Sequence, residues 1–261
     1  MRIVLIGAGN LATNLSKALK AAGHEIVQIY SKTEESAGSL AAIIGCEYTT
    51  DIYNVCQDAD IYIFAVKDSV VERLANCVAE CVSGKLFVHT AGSMPMDILP
   101  VEHRGVFYPM QTFSRSREVD FSVIPLFLEA EHEADMVVLK EMAGTITHHV
   151  YELSSDDRKY LHLSAVFCCN FANHCYRLGE KVLEEHNIPF SVMLPLIDET
   201  ARKVHEMSPA EAQTGPAIRW DENVIMNQLA LMNDNPDMQE IYELLSKSIH
   251  KCKSKLQSTS N

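Results

Sequence analysis

The chain has 261 residues, 47% of them apolar and 22% charged, proportions that exclude a disordered or fibrous protein and suit two domains of ordinary size. Thirty-five acidic against 22 basic side chains give a formal net charge of −13, which repels a polyanion over most of the surface and argues against nucleic acid as a partner. Eight cysteines form no CxxC pair and no regular ladder, so they read as reduced thiols and not as disulfide staples.

The first residues run directly into an apolar β-branched segment, RIVLI at 2–6, with no basic leader before it. No later run reaches the roughly 18 apolar residues that a membrane span needs, so the expectation is a cytoplasmic protein without a membrane partner. After 2–6 comes a glycine turn, then helical spacing through Leu11, Leu15, Ala18, Leu19 and Ala22 over 10–22. A strand at 25–30 completes a βαβ unit. A helix at 33–44, a weak strand at 46–49, a strand at 60–66, a helix at 69–82 and strands at 85–89, 105–108 and 123–129 follow. A helix at 132–143 and a strand at 146–151 close this part of the chain. Such alternation predicts an α/β fold with a doubly wound parallel Rossmann sheet.

Beyond about residue 152 no strand is expected. Helices at 156–186, 189–207, 221–232 and 236–256 predict an all-α second domain, with Pro189, Pro209, Pro216 and Pro236 at or near the joints. The predicted division is therefore 1–152 and 153–261. The basic cluster Lys247, His250, Lys251, Lys253 and Lys255 reads as a solvated helix end, and Ser258 to Asn261 as a frayed tail.

Gly7-Ala8-Gly9-Asn10-Leu11-Ala12 matches G-x-G-x-x-A in the strand–turn–helix context that gives the pattern meaning. Gly7 permits the tight turn, Gly9 lets backbone approach a pyrophosphate, and Ala12 lets helix and strand pack closely. The free N–H groups of the helix start, through Ala8, Asn10 and Leu11, then face the anion. At the end of the second strand an acid would hold the 2′-hydroxyl of NAD. Ser31, Lys32 and Thr33 stand there instead, a set that suits the 2′-phosphate of NADP(H), with a charge-assisted bond worth about 1.5 to 3 kcal/mol. Ser31 also reads as a helix cap and Lys32 as a solvated lysine; the two roles are compatible.

Ligands of open α/β sheets lie beyond the carboxyl ends of the strands. Ala65, Val66 and Lys67 end one strand and His89 and Thr90 another, so both segments are expected to border the cofactor; Lys67 equally fits a solvated loop, and His89 a structural hydrogen bond. Gln111, in Tyr108-Pro109-Met110-Gln111-Thr112-Phe113, is placed to face a substrate or to shape a turn.

In the predicted long helix, His162, Val166, Cys169, Asn170 and Asn173 fall on one broad stripe. His162 is a candidate proton donor, Asn170 a catalytic amide and Asn173 a substrate anchor, against the alternative of polar residues satisfied at a packing or subunit interface. Thr214 and Arg219, in TGPAIRWD at 214–221, are candidates for binding a substrate carboxylate, although Arg219 also fits a pairing with Asp221, which caps the next helix. Metal ligation gains no support, because His103 and the pair His148-His149 lack partners at ligand spacing.

Taken together, GAGNLA at 7–12, YSKT at 30–33, AVKD at 65–68, HTAGS at 89–93, YPMQTF at 108–113 and TGPAIRWD at 214–221 resemble known motifs. The first domain resembles the group of pyrroline-5-carboxylate reductase and deazaflavin-dependent NADP oxidoreductases. Over nearly its whole length the chain is similar to a bacterial family of NADP oxidoreductases whose second domain has no assigned function. That resemblance implies a helical domain of the 6-phosphogluconate dehydrogenase type, which commonly forms a homodimer and closes the substrate cleft. Related sequences carry His-Pro where Tyr108-Pro109 stands, so no proton role transfers from that histidine. The Gly-Ser-Gly-Pro segment of the pyrroline reductases is not matched, which argues against a proline-forming enzyme. The reading is an NADP(H)-dependent oxidoreductase acting on a small carbonyl or imine compound between the domains; the alternative is a non-catalytic NADP(H) sensor.

Overall fold

The computed structural model describes residues 1–258, with side chains through Cys252; the tail beyond Ser258 and the Lys253 and Lys255 side chains of the basic cluster lie outside the described residues. The strands and helices of the sheet region are β1 (Arg2–Ile6), α1 (Asn10–Ala21), β2 (Glu25–Tyr30), α2 (Glu34–Ile44), β3 (Glu47–Thr49), β4 (Ile61–Phe64), α3 (Asp68–Ala79), β5 (Leu86–His89), β6 (Arg104–Pro109), β7 (Leu126–Ala130), α4 (Glu133–Gly144) and β8 (Val150–Glu152). Their order in the eight-stranded sheet is β3-β2-β1-β4-β5-β6-β7-β8.

The reversal of strand order at β1 opens a crevice beyond the carboxyl ends of β1 and β4. Along β1, Ile3 and Leu5 join one apolar layer and Val4 and Ile6 the other, all four at 0% exposure. A strand covered on both faces needs this unbroken apolar run, which is why 2–6 shows no polar alternation. Helix α1 closes one side with Ala12, Leu15 and Leu19, each leucine contributing about 1.5 to 3 kcal/mol by leaving water.

One pair departs from the expected parallel sheet: β7 runs antiparallel to β6, with Gly105 opposite Ala130 and Pro109 opposite Leu126. The physical reason lies in the connection. A parallel neighbour requires a crossover, usually a helix, and the segment between β6 and β7 carries only the 3₁₀ turn Phe121–Val123.

The chain divides into two compact units, Met1–Asn170 and Phe171–Asn261, so the helix that follows the last strand, α5 (Ser155–Ala165), belongs with the sheet. The expected single helix over 156–186 is not uniform: α5 passes into a π-helical turn, Val166–Phe171, before α6 (Ala172–Glu185). Val166 still donates to the His162 carbonyl, but the wider turn breaks the 3.6-residue period beyond it.

The second unit consists of α6, the 3₁₀ turn Phe190–Met193, α7 (Leu194–Glu206), α8 (Pro209–Ala212), α9 (Pro216–Arg219), α10 (Glu222–Ala230) and α11 (Pro236–Ser258). Pro209, Pro216 and Pro236 each open a helix, where a missing N–H is harmless. Asp221 caps α10 by accepting from the Val224 N–H at 3.3 Å, and the Trp220 ring packs at a tilt against His250 of α11, centroids 5.0 Å apart. Few apolar side chains of this unit are buried; Leu196, Leu231 and Leu244 are 58%, 86% and 67% exposed.

Candidate functional site

At the end of β1, Gly7 turns with φ of +124°, and a Cβ there would stand 2.3 Å from the Ala65 carbonyl oxygen. Only glycine fits both demands. Two residues on, a Cβ at Gly9 would meet nothing within 4 Å, so the approach to the backbone is open. Gly9 caps α1 without a side-chain hydrogen bond, which leaves the first N–H groups of the helix open to an anion.

These residues form one end of a cleft of about 980 Å³. The cations lining it are Lys32, Lys67, Arg73 and Arg115, against the single carboxylate of Asp68. In a chain with a net charge of −13 this is a local reversal of sign, suited to a ligand carrying several negative charges. Ser31, Lys32, Ser36 and Arg73 surround the end of β2, where a 2′-phosphate would sit. Arg115 reaches over the glycine turn and donates to the Ala8 carbonyl oxygen. Its loop is pinned by Asn10 Nδ2, which donates to the Phe113 carbonyl at 3.0 Å, and by Asn14 Nδ2, which donates to that of Ser114 at 3.1 Å.

At the other end of the cleft the Tyr108 hydroxyl lies 3.1 Å from His162 Nδ1. Burial pushes the Tyr108 hydroxyl above the ordinary tyrosine range, with Asp68 acting in the same direction and Arg158 opposing, so the phenol keeps its proton at neutral pH. Gly92 makes room for the pair: a Cβ there would stand 2.5 Å from His162 Nδ1 and 2.9 Å from Tyr108 Cζ. Helix α5 is held in place one turn before His162 by Arg158, whose side chain is 1% exposed and ion-pairs with Glu129 of β7. Arg158 also donates to the Met94 carbonyl and, at 3.1 Å, to Ser155 Oγ. Ser155 in turn donates to Glu129 through its hydroxyl at 2.6 Å and its backbone N–H at 2.9 Å.

Of the residues singled out from the sequence, Gly7, Ala8, Gly9, Asn10, Leu11, Ser31, Lys32, Ala65, Val66, Lys67, Thr90, Gln111 and His162 all line this cleft. Thr33 instead caps α2, accepting from the Ser36 N–H at 3.4 Å. His89 is fully buried: Nδ1 accepts from the Ala91 N–H at 3.1 Å and Nε2 donates to the Pro95 carbonyl at 3.2 Å. Burial, reinforced by Arg158, pulls its pKa down to about 4, so it is a neutral brace for the 89–95 turn. Asn170 is exposed in the π turn, and Asn173, Thr214 and Arg219 are exposed in the second unit.

Sequence reasoning missed Arg73, Arg115, Gly92, Arg158 and the placement of Tyr108. A signal existed only for the last: the Tyr108-Pro109 pair stands where the resemblance drawn from the sequence implies His-Pro. Arg115 sits in a Ser-Arg-Ser-Arg run that reads as an ordinary polar loop.

Residues 2–92 match the family model described as NADP oxidoreductase, coenzyme F420-dependent, and residues 124–249 match a domain of unknown function, DUF2520. A crystal structure from Bacteroides fragilis, described as "putative NADP oxidoreductase BF3122", is similar at 57% identity over 96% of this chain and 98% of that one, with a TM-score of 0.93. Protein TM1727 from Thermotoga maritima shares the fold at 19% identity, a TM-score of 0.72 and coverage of 98% and 99%. An imine reductase from Myxococcus stipitatus, in complex with NADP+, shares it at 14% identity, a TM-score of 0.68 and coverage of 99% and 95%. Among curated protein sequences none matches the chain. None of the helices, among the described residues, is long and apolar enough to cross a membrane.

Proposed function

The chain belongs to the NADP oxidoreductase family of its Bacteroides fragilis relative, and on that premise we propose that it reduces a small carbonyl or imine compound with NADPH. The observation that carries this reading is the pairing of Tyr108 and His162, two proton-bearing groups at 3.1 Å, in the same cleft as the glycine turn. The amides from Ala8 to Leu11 would hold the pyrophosphate, the Gly7 N–H being spent on the Tyr30 carbonyl, with Arg115 beside them. Ser31, Lys32 and Arg73 receive the 2′-phosphate. NADPH held there would supply the hydride.

The chain's own residues supply the proton. In its protonated form His162 donates Nδ1–H to the Tyr108 hydroxyl oxygen, which fixes the ring, gives its Nε2 proton to a substrate oxygen or nitrogen and is left as the neutral imidazole. Gln111 offers an amide to the same substrate. Gly92 and the Arg158–Glu129 pair hold the imidazole in position, because donors aligned before the reaction need not be reorganised during it.

A homodimer formed through the helical unit completes the reading. Its support is the exposure of Leu196, Leu231 and Leu244, apolar area that a second copy would cover. A cytoplasmic setting is supported by eight cysteines that form no disulfide.

The test has a binding arm and a turnover arm. NADPH should raise the melting temperature more than NADH at equal concentration, since only the folded state binds. Lys32→Asp should reverse that order. NADPH oxidation is then followed against keto acids, aldehydes and cyclic imines; His162→Ala should lower turnover on any accepted substrate by about 10²- to 10⁴-fold. Greater stabilisation by NADH would refute the nucleotide assignment, and an unchanged rate in His162→Ala would remove that residue from the chemistry.

A further inference from the structure

The antiparallel pairing of β7 with β6 has a second effect, at the end of β6 opposite the nucleotide cleft. Continuing the register two residues beyond the Gly105–Ala130 pair sets His103, just before β6, opposite His132, just after β7. Their rings meet edge to face at 5.5 Å. His132 is the N-cap of α4, and Asp135 lies in the first turn of that helix, its N–H donating to the His132 carbonyl at 3.0 Å. Both Asp135 carboxylate oxygens point at His103 Nδ1, at 3.1 and 3.2 Å. One ligand atom from each of the three residues lies within 4.8 Å of the other two.

We propose that His103, His132 and Asp135 form a binding site for a divalent transition-metal ion of the zinc class. The donor set of two imidazoles and one carboxylate suits zinc and its neighbours, whereas magnesium and calcium prefer oxygen ligands throughout. Ligands held at about 2.0 to 2.1 Å from a tetrahedral ion stand roughly 3.4 Å apart. The contact between His103 and Asp135 already has nearly that separation, and the His132 ring, exposed, closes the set by turning about its side-chain bonds. Solvent supplies the fourth ligand.

Charge points the same way. Asp135 is 7% exposed, and among the described residues its only ion-pair partner is the His103 imidazole, uncharged unless protonated. A buried carboxylate with so weak a partner is stabilised by a nearby cation. The site joins the entry to β6 and the start of α4, so an ion there would brace the amino end of β6 and leave the nucleotide cleft untouched.

Tag-free, full-length protein stripped with a chelator should bind zinc chloride by calorimetry and gain melting temperature on doing so. His132→Ala, which removes an exposed ring and spares the core, and His103→Ala should each weaken binding at least tenfold and abolish the thermal gain. In both variants the stabilisation by NADPH should be unchanged. Cobalt(II) is the second probe: bound by these residues, it shows visible d–d absorption without the near-ultraviolet charge-transfer band of thiolate ligation. No zinc binding, zinc affinity indifferent to both substitutions, or a thiolate band that assigns the ion to cysteines would each overturn the proposal.

Discussion

Replacing Arg158 by alanine separates the energetics of the site's support from its chemistry. The guanidinium is 1% exposed and bonded to Glu129, Ser155 and the Met94 carbonyl, while its Nε is buried without a partner. Removing one member of such a pair costs about 3 to 5 kcal/mol, because the surviving charge stays buried. Here Glu129 remains 18% exposed and keeps two bonds from Ser155, so the loss should fall at the low end, about 3 kcal/mol. Urea unfolding at pH 7, followed by circular dichroism, measures it. The double variant Arg158→Met with Glu129→Gln should recover most of the loss, since an apolar side chain leaves no orphaned charge and no unpaired Nε. Arg158→Ala should also lower turnover more than NADPH affinity, because the residue anchors the helix turn that presents His162 and its hydrogen bonds go to Glu129, Met94 and Ser155, outside the cleft lining. A stability loss below about 1 kcal/mol, or a double variant no more stable than the single, would refute the reasoning.

His89 predicts a pH dependence. Its folded pKa of about 4 lies below the ordinary value of 6.5, so the unfolded chain binds more protons between those values. The stabilisation from keeping this ring neutral is complete above about pH 6.5 and is lost as pH falls toward 4, amounting to about 3 kcal/mol. Unfolding measured at pH 7 and pH 4.5 should show a smaller difference in His89→Gln than in the parent; equal differences would exclude His89 as the cause. At Gly92, alanine would place a methyl group 2.5 Å from His162 Nδ1, so Gly92→Ala should depress turnover at least tenfold while NADPH still raises the melting temperature. Undiminished turnover in that variant would show that the His162 position does not matter.

The local signals in the chain were those that depend on a few neighbouring residues. A β-branched run, then Gly7 and Gly9, then helical spacing defines a βαβ unit wherever it occurs, since the turn, the phosphate approach and the packing are each set within about a dozen residues. The absence of an acid after β2 and the serine and lysine in its place are equally local, and both residues border the cleft. The antiparallel pairing of β7 with β6 departs from the parallel sheet that the alternation predicts, because the connection between them carries no crossover helix.

What sequence alone determined, then, is the nucleotide half of this protein, where chemistry follows from chain order. What only tertiary structure decided is everything that depends on partners distant along the chain. Tyr108 meets His162 across 54 residues, Arg158 pairs with Glu129 across 29, and His103 faces His132 because an antiparallel register brings them together. The π turn defeats helical extrapolation in the same way: one widened turn ends the stripe that spacing had drawn through Asn170 and Asn173. A period carries information only while the backbone keeps it, and contacts across a sheet are fixed by register, which no single segment contains.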